Sequence, residues 1–260
     1  MRSDRRAPAR LALLGALAIV ALGEMQGIHA IINGTLDGHL HPNVGMVVAE
    51  ASGGKFTPCS GNLIAPTVFV TAAHCLEFIA SRGATQVWVT FDSQVNPDTS
   101  PLIPATLHPN PAYEANAPDP NDVAVITFET PVEGIVPVDL PPPGLLDQVS
   151  ADQLFTVVGY GAYERILGDG PPTFLVDRAR RFATSEFNAL TRAELRLSMN
   201  ASRGYGGASF FDSGGPIFLG HSTTVAAIVG WRGTQGTYDG YRLDIPSARA
   251  FLSSFVTLPD

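Results

Sequence analysis

Asp212-Ser213-Gly214-Gly215-Pro216 decides how this chain reads. A serine set between an aspartate and two glycines suits a sharp turn that lifts a hydroxyl clear of its own backbone. That hydroxyl is inert near neutral pH unless a neighbour accepts its proton. Thr71-Ala72-Ala73-His74-Cys75 supplies a candidate, because imidazole titrates close to neutrality. Between the two lies Asn121-Asp122-Val123-Ala124-Val125-Ile126, an aspartate entering an apolar, β-branched run. The order is therefore His74, Asp122, Ser213, with steps of 48 and 91 residues. Singly, each has a duller reading: a core histidine, a turn or cap aspartate, a loop hydroxyl. The three in one order are a different matter.

That order and spacing resemble the trypsin/chymotrypsin family of serine endopeptidases, with Ser213 as nucleophile, His74 as general base and Asp122 orienting the imidazole. The resemblance covers nearly the whole chain beyond residue 30. It implies an all-β fold of two antiparallel six-stranded β-barrels with a short C-terminal helix and the active site in the cleft between barrels. The first barrel is expected over residues 31–135 and the second, with the helix, over 145–260. The Pro-rich stretch Pro131 to Pro143 reads as the linker. Strands are expected at Val44–Val48, Asn62–Ile64, Val68–Thr71, Asp122–Phe128, Phe155–Gly161, Leu195–Met199, Val225–Trp231 and Tyr241–Ile245. Gln86–Phe91 joins them on its period-two alternation. Pro246 opens the helix, with Ala248, Phe251, Leu252 and Phe255 at helical spacing.

Composition agrees and excludes alternatives. A chain of 260 residues can bury a large core, and 26 Gly with 21 Pro favour many strands joined by turns over a helical bundle. A net charge of −8 with Lys55 as the single lysine argues against nucleic-acid binding, which wants a basic face. Arg2, Arg5, Arg6 and Arg10 precede an apolar run from Leu11 to Leu22, which is too short to span a bilayer. Residues 1–30 thus read as an export signal with a possible short propeptide, cleaved after Gly23 or Ala30. The mature protein is expected in the periplasm or the medium, as a monomer, off the membrane, acting on polypeptides without metal or organic cofactor. His39 and His41, spaced i, i+2, would share one face of a strand and could bind a metal, but no third ligand of suitable type stands near them in sequence.

The resemblance assigns further residues. Cys59 and Cys75 are the only cysteines, and an even pair in an exported chain favours a disulfide. The family pairs the cysteine after the histidine with one on the preceding strand. Asp212 would bind the amine of Ile31 once the chain is cut before it, ordering the pocket and oxyanion hole. The backbone N–H groups of Phe211 and Ser213 would form that hole. Phe211 stands where the family has glycine, and one lost donor costs roughly 2.7–4 kcal/mol. The specificity pocket falls on Gly207, Ala208, Gly230, Trp231 and Arg232. Its base carries Gly207 in place of an aspartate, so a strict trypsin preference for basic residues is not expected. Arg232 stands where a glycine often keeps the pocket open, and the cysteine pair that braces this wall is missing, Ser209 holding one position. Two functions remain open here: an endopeptidase, and a protease-fold binding protein whose altered oxyanion hole has abolished turnover.

Overall fold

The computed structural model describes residues 31–166, 173–230, 233 and 236–260. After a two-residue strand β1 (Thr35–Leu36) the chain forms β2 (Val44–Ala51), β3 (Gly54–Ala65) and β4 (Val68–Thr71). Helix α1 (Ala73–Ser81) follows, then β5 (Gln86–Thr90), β6 (Ile103–Pro104), β7 (Thr106–His108) and β8 (Ala124–Thr127). The second half holds β9 (Leu154–Gly159), a hairpin of β10 (Glu164–Ile166) and β11 (Thr173–Leu175), β12 (Arg181–Leu190) and β13 (Glu194–Ser198). It ends with β14 (Pro216–Leu219), β15 (Val225–Val229), β16 (Thr237–Arg242) and α2 (Pro246–Leu252).

These strands make two seven-stranded sheets, β6-β5-β2-β3-β4-β8-β7 and β1-β12-β13-β16-β15-β14-β9. The first is a six-stranded barrel in physical terms. β6 and β7 are one extended segment interrupted at Ala105; its front half pairs with β5 and its back half with β8, so a single segment joins both edges. In the second sheet β12 pairs with β9 and closes the ring, and β1 adds two residues outside it. The expected six strands per barrel are thus present, with the extra count arising from one break and one added fragment. Closure removes the exposed edges that an open sheet would present.

Burial follows the sequence pattern. β4 and β15 are buried throughout, as continuous apolar runs should be. β12 alternates buried and half-buried from Arg181 to Glu186, one face of it packed inward. Each barrel has its own core, around Phe69 and Ile126 in the first and Phe155 and Leu197 in the second. A third cluster lies between them, where Val70 and Val125 meet Tyr160, Phe218 and Ile228. That shared layer fixes the relative position of the barrels and of the loops that rise from each. No helix among the described residues is long and apolar enough to cross a membrane.

Candidate active site

β4 runs straight into α1, and the junction sets His74 in the helix's first turn. Ala72, extended at φ −81° and ψ 147°, occupies the cap position with no side chain able to bond the free N–H groups, and the first turn has no acidic residue. The cap comes from another element. Asp122 Oδ1 accepts the backbone N–H of His74 at 2.9 Å, and Asp122 Oδ2 lies 2.8 Å from His74 Nδ1. One carboxylate therefore fixes both the backbone and the ring of His74, at a helix N-terminus that favours negative charge. The His74 and Asp122 side chains are 13% and 7% exposed, enough for the ring to meet a substrate while its partner stays shielded.

Ser213 sits in a turn bound to both barrels. Its carbonyl accepts the N–H of Ser60 on β3 at 2.9 Å and lies 3.8 Å from the sulfur of Cys75, the residue after His74. Gly214 has φ +78°, and a Cβ there would lie 2.2 Å from the Thr71 hydroxyl, so only glycine lets the turn press against the segment leading to His74. Gly214 N–H and Gly215 C=O then pair with Val229 at the end of β15, both at 2.8 Å. The Cys59–Cys75 disulfide, with Cα atoms 6.2 Å apart, ties α1 to β3 beneath this turn. Cys59, His74 and Cys75 offer three potential ligand atoms within 4.8 Å, but the two sulfurs are bonded to each other and are not metal ligands. His41 is held by Asp37 and stacks on Phe218, while His39 is exposed; the sequence spacing of the pair brings no ligand set together.

Asp212 is fully buried. Its oxygens accept Gly161 N–H at 2.8 Å and Ser209 N–H at 2.9 Å, and burial pushes its carboxyl up to about 7 despite those bonds. Cβ atoms at Gly159 or Gly161 would lie 2.2 and 2.5 Å from it, which accounts for glycine on both sides of Tyr160. Ile31 is also wholly buried, packed in the second barrel's core cluster with Ala183 and Ala208. Its neighbour Ile32 accepts the N–H of Gly207 at 3.0 Å.

Phe211 adopts φ +74°, the left-handed region that glycine occupies without strain. It is 41% exposed and Phe210 is 60% exposed, the latter's ring 4.4 Å from Phe174 on the hairpin. Ser60 Oγ donates to the Phe211 carbonyl at 3.2 Å and Ala162 N–H to the Phe210 carbonyl at 2.8 Å, holding the strained turn from both sides.

At the expected pocket base, a Cβ on Gly207 would lie 2.4 Å from both Met199 Cγ and Tyr238 Cε1. Tyr238, on β16, is buried and its hydroxyl meets Ser185 Oγ at 2.8 Å. Ala208 is buried, and Gly230 N–H bonds to Asp239 C=O at 2.9 Å. Trp231 and Arg232 lie outside the described residues, as does the expected signal segment 1–30. Sequence reasoning overlooked Tyr238; its position two residues before the Gly240–Tyr241 pair carries no motif that would have marked it.

Comparison with known proteins meets this geometry at the level of family. The sequence profile of the Trypsin family matches residues 39–251. A collagenase, HL collagenase, superposes with a TM-score of 0.65 at 16% identity, covering 86% of this chain and 98% of its own. Granzyme C superposes at 0.62 and 19% identity, covering 85% and 97%. At such identities the two superpositions speak for the fold. With the family match, they define the class: a two-barrel serine hydrolase of peptide bonds. The chain belongs to the trypsin family of serine endopeptidases.

Proposed function

We propose that the chain is an exported endopeptidase in which Ser213 attacks the substrate carbonyl while His74 takes its proton. The tetrahedral oxyanion is received by the N–H groups of Phe211 and Ser213. His74 then protonates the departing amine, leaving an acyl-Ser213 ester, and water admitted with the same base regenerates the serine. Asp122 holds the imidazole and offsets its transient positive charge. The observation that carries this reading is the double grip of Asp122 on the ring and backbone of His74, at 2.8 and 2.9 Å. The substrate is a polypeptide; no metal or organic cofactor enters these steps.

Two further parts belong to the proposal. Cleavage after Ala30 frees the Ile31 amine, which becomes the counter-ion of Asp212; the wholly buried Ile31 and a carboxyl pushed up to about 7 support this pairing. Export through residues 1–30 fits the Cys59–Cys75 disulfide, a bond of oxidising compartments. Specificity follows from the uncharged Gly207 and from Tyr238, whose buried ring lies against it: the side chain before the cleaved bond is small. Tyr238→Gly is expected to move preference from alanine towards leucine or phenylalanine by about fivefold to thirtyfold in kcat/KM, as about one or two kcal/mol of apolar contact becomes available; a peptide-library profile with an unchanged preference would remove Tyr238 from this role.

Phe211 favours a second reading, a protease-fold binding protein without turnover, since a strained aromatic residue stands at the expected oxyanion site. Fluorophosphonate labelling of the chain beginning at Ile31 separates the two. Labelling that disappears in Ser213→Ala supports the enzyme; no labelling of a folded chain with a verified terminus supports the binding protein.

A further inference from the structure

The loop that delivers Asp122 is fastened at a point no motif marks. Asp119, three residues earlier, accepts the N–H of Asn121 at 3.1 Å and the hydroxyl of Tyr241 at 3.0 Å on Oδ1. Its Oδ2 accepts the Ser247 hydroxyl at 2.6 Å, and the Tyr241 and Ser247 hydroxyl oxygens are 3.2 Å apart. Tyr241 belongs to β16 and Ser247 to the first turn of α2, both in the second barrel. Asp119 and Asp122 belong to the first. A three-membered bridge thus crosses between the barrels beside the carboxylate that holds His74.

The geometry makes this more than a surface contact. Tyr241 is 2% exposed, so its hydroxyl needs a partner inside the protein, and Asp119 and Ser247 supply it. On the other side, Asn121 has φ +53°, its carbonyl receiving Asn110 Nδ2 at 3.2 Å and Val123 N–H at 2.8 Å. Asn121 therefore enters β8 in a left-handed kink fixed at its N–H by Asp119 and at its carbonyl by Asn110. With both ends of the kink held, Asp122 has little freedom to turn away from α1.

We propose that Asp119 is a positioning residue for peptide cleavage: through Tyr241 and Ser247 it sets the first-barrel loop against the second barrel, so that Asp122 holds the His74 ring while Ser213, carried by the second barrel, approaches it. The proposal rests on the Ser213–His74–Asp122 reading above. A misplacement of this kind acts on the chemical step more than on substrate binding.

The test uses Asp119→Ala, Tyr241→Phe and Ser247→Ala in the chain beginning at Ile31. Asp119→Ala is expected to lower kcat by about tenfold to a hundredfold with KM changed by less than about twofold. Tyr241→Phe should lower kcat in the same sense, and the pair should be no worse than Asp119→Ala alone, because both cut one bridge. An independent readout is the low-field proton resonance of His74 Nδ1–H against Asp122, present in the parent and broadened or lost in Asp119→Ala. It needs no turnover, so a parent that fails to cleave peptides sinks the enzyme reading while the resonance still tests the bridge. Should Asp119→Ala not fold, Tyr241→Phe, which removes a single oxygen, decides by the same two measurements. An unchanged kcat and an unchanged resonance in the folded variants would overturn the proposal.

Discussion

Asp212 and Phe211 are neighbours with opposite relations to their surroundings. Asp212 is a carboxyl that burial pushes from 3.8 up to about 7. A carboxyl with a folded value above its unfolded one binds its proton more tightly in the fold. Its contribution to stability is therefore full below about pH 4 and is lost as pH rises through about 7. The chain still carrying Ala30 should lose stability across that window, whereas the chain beginning at Ile31 should be spared, its amine balancing the carboxylate. Urea midpoints for both forms at pH 5 and pH 8 measure this; equal losses would remove the pairing. Phe211 bears backbone strain of about 1–2 kcal/mol in the left-handed region. Phe211→Gly should leave stability level or up to about 1 kcal/mol higher, and should speed acylation by fluorophosphonate; a loss of more than about 1 kcal/mol in a urea melt would mean the ring is held by contacts worth more than the strain. Both residues stood out in the sequence because the pentapeptide around Ser213 has a fixed grammar. Asp119 and Tyr238 did not, since their roles arise from partners 122–128 residues away in one case and from packing against Gly207 in the other.

Elements were legible where burial makes continuous apolar runs or, as in β5, a period-two alternation, and illegible where it makes neither. β4 and β15 begin where their apolar runs do, and α2 starts at Pro246, whose ring suits a first helical turn. β3 is far longer than Asn62–Ile64 suggests, because its first four residues, 54–57, are exposed to half-buried and the buried Pro58, Ser60 and Gly61 make no continuous apolar run. β12 was missed altogether: Arg181, Ser185 and Glu186 look like surface residues, yet Arg181 turns inward to a two-pronged bond with Asp177. β16 spans Thr237–Arg242, earlier than its apolar end implied: Leu243 still donates its N–H to Ala226 of β15, and Leu243 and Ile245 then pack in one cluster with Ala248 and Leu252 of α2. Helix α1 shows the same limit, its cap being supplied by a residue 48 positions away. The disulfide acts at this scale. It closes a loop of 16 residues, so Cys59→Ser with Cys75→Ser is expected to cost about 3 kcal/mol in urea denaturation. The pair should lower fluorophosphonate labelling as well, through a looser α1; a stable variant labelled at the parental rate would separate the bridge from the site.

Across the molecule, the sharpest departure from surface intuition is Arg180, 1% exposed between the barrels. Its guanidinium donates to Asp37 at 2.8 Å, to the carbonyls of Gly38, Val44 and Phe91, and to the Tyr160 hydroxyl at 3.0 Å. Although burial pulls the Asp37 carboxyl upward, His41 and Arg180 hold it below its usual value. One side chain thus joins the N-terminal segment, the first barrel and the second. Removing one partner of a buried pair strands the other, so Arg180→Met is expected to lose about 3–5 kcal/mol, read from urea unfolding. A loss under about 1 kcal/mol would mean the layer of apolar residues between the barrels is sufficient without it. The two-barrel plan was implied by the family resemblance that His74, Asp122 and Ser213 carry; this network was not, because nothing in the local sequence marks an arginine for burial. The same architecture bears on descent. Ser213 is held through its carbonyl, and its hydroxyl has no structural duty in the contacts described, whereas Asp122 caps α1 from the approach to the neighbouring strand, β8 pairing with β4 at Ala124 and Thr71. A lineage that gave up peptide cleavage would be free to discard the serine hydroxyl, while selection for a folded chain alone would retain the aspartate, leaving a relic of catalysis preserved by architecture.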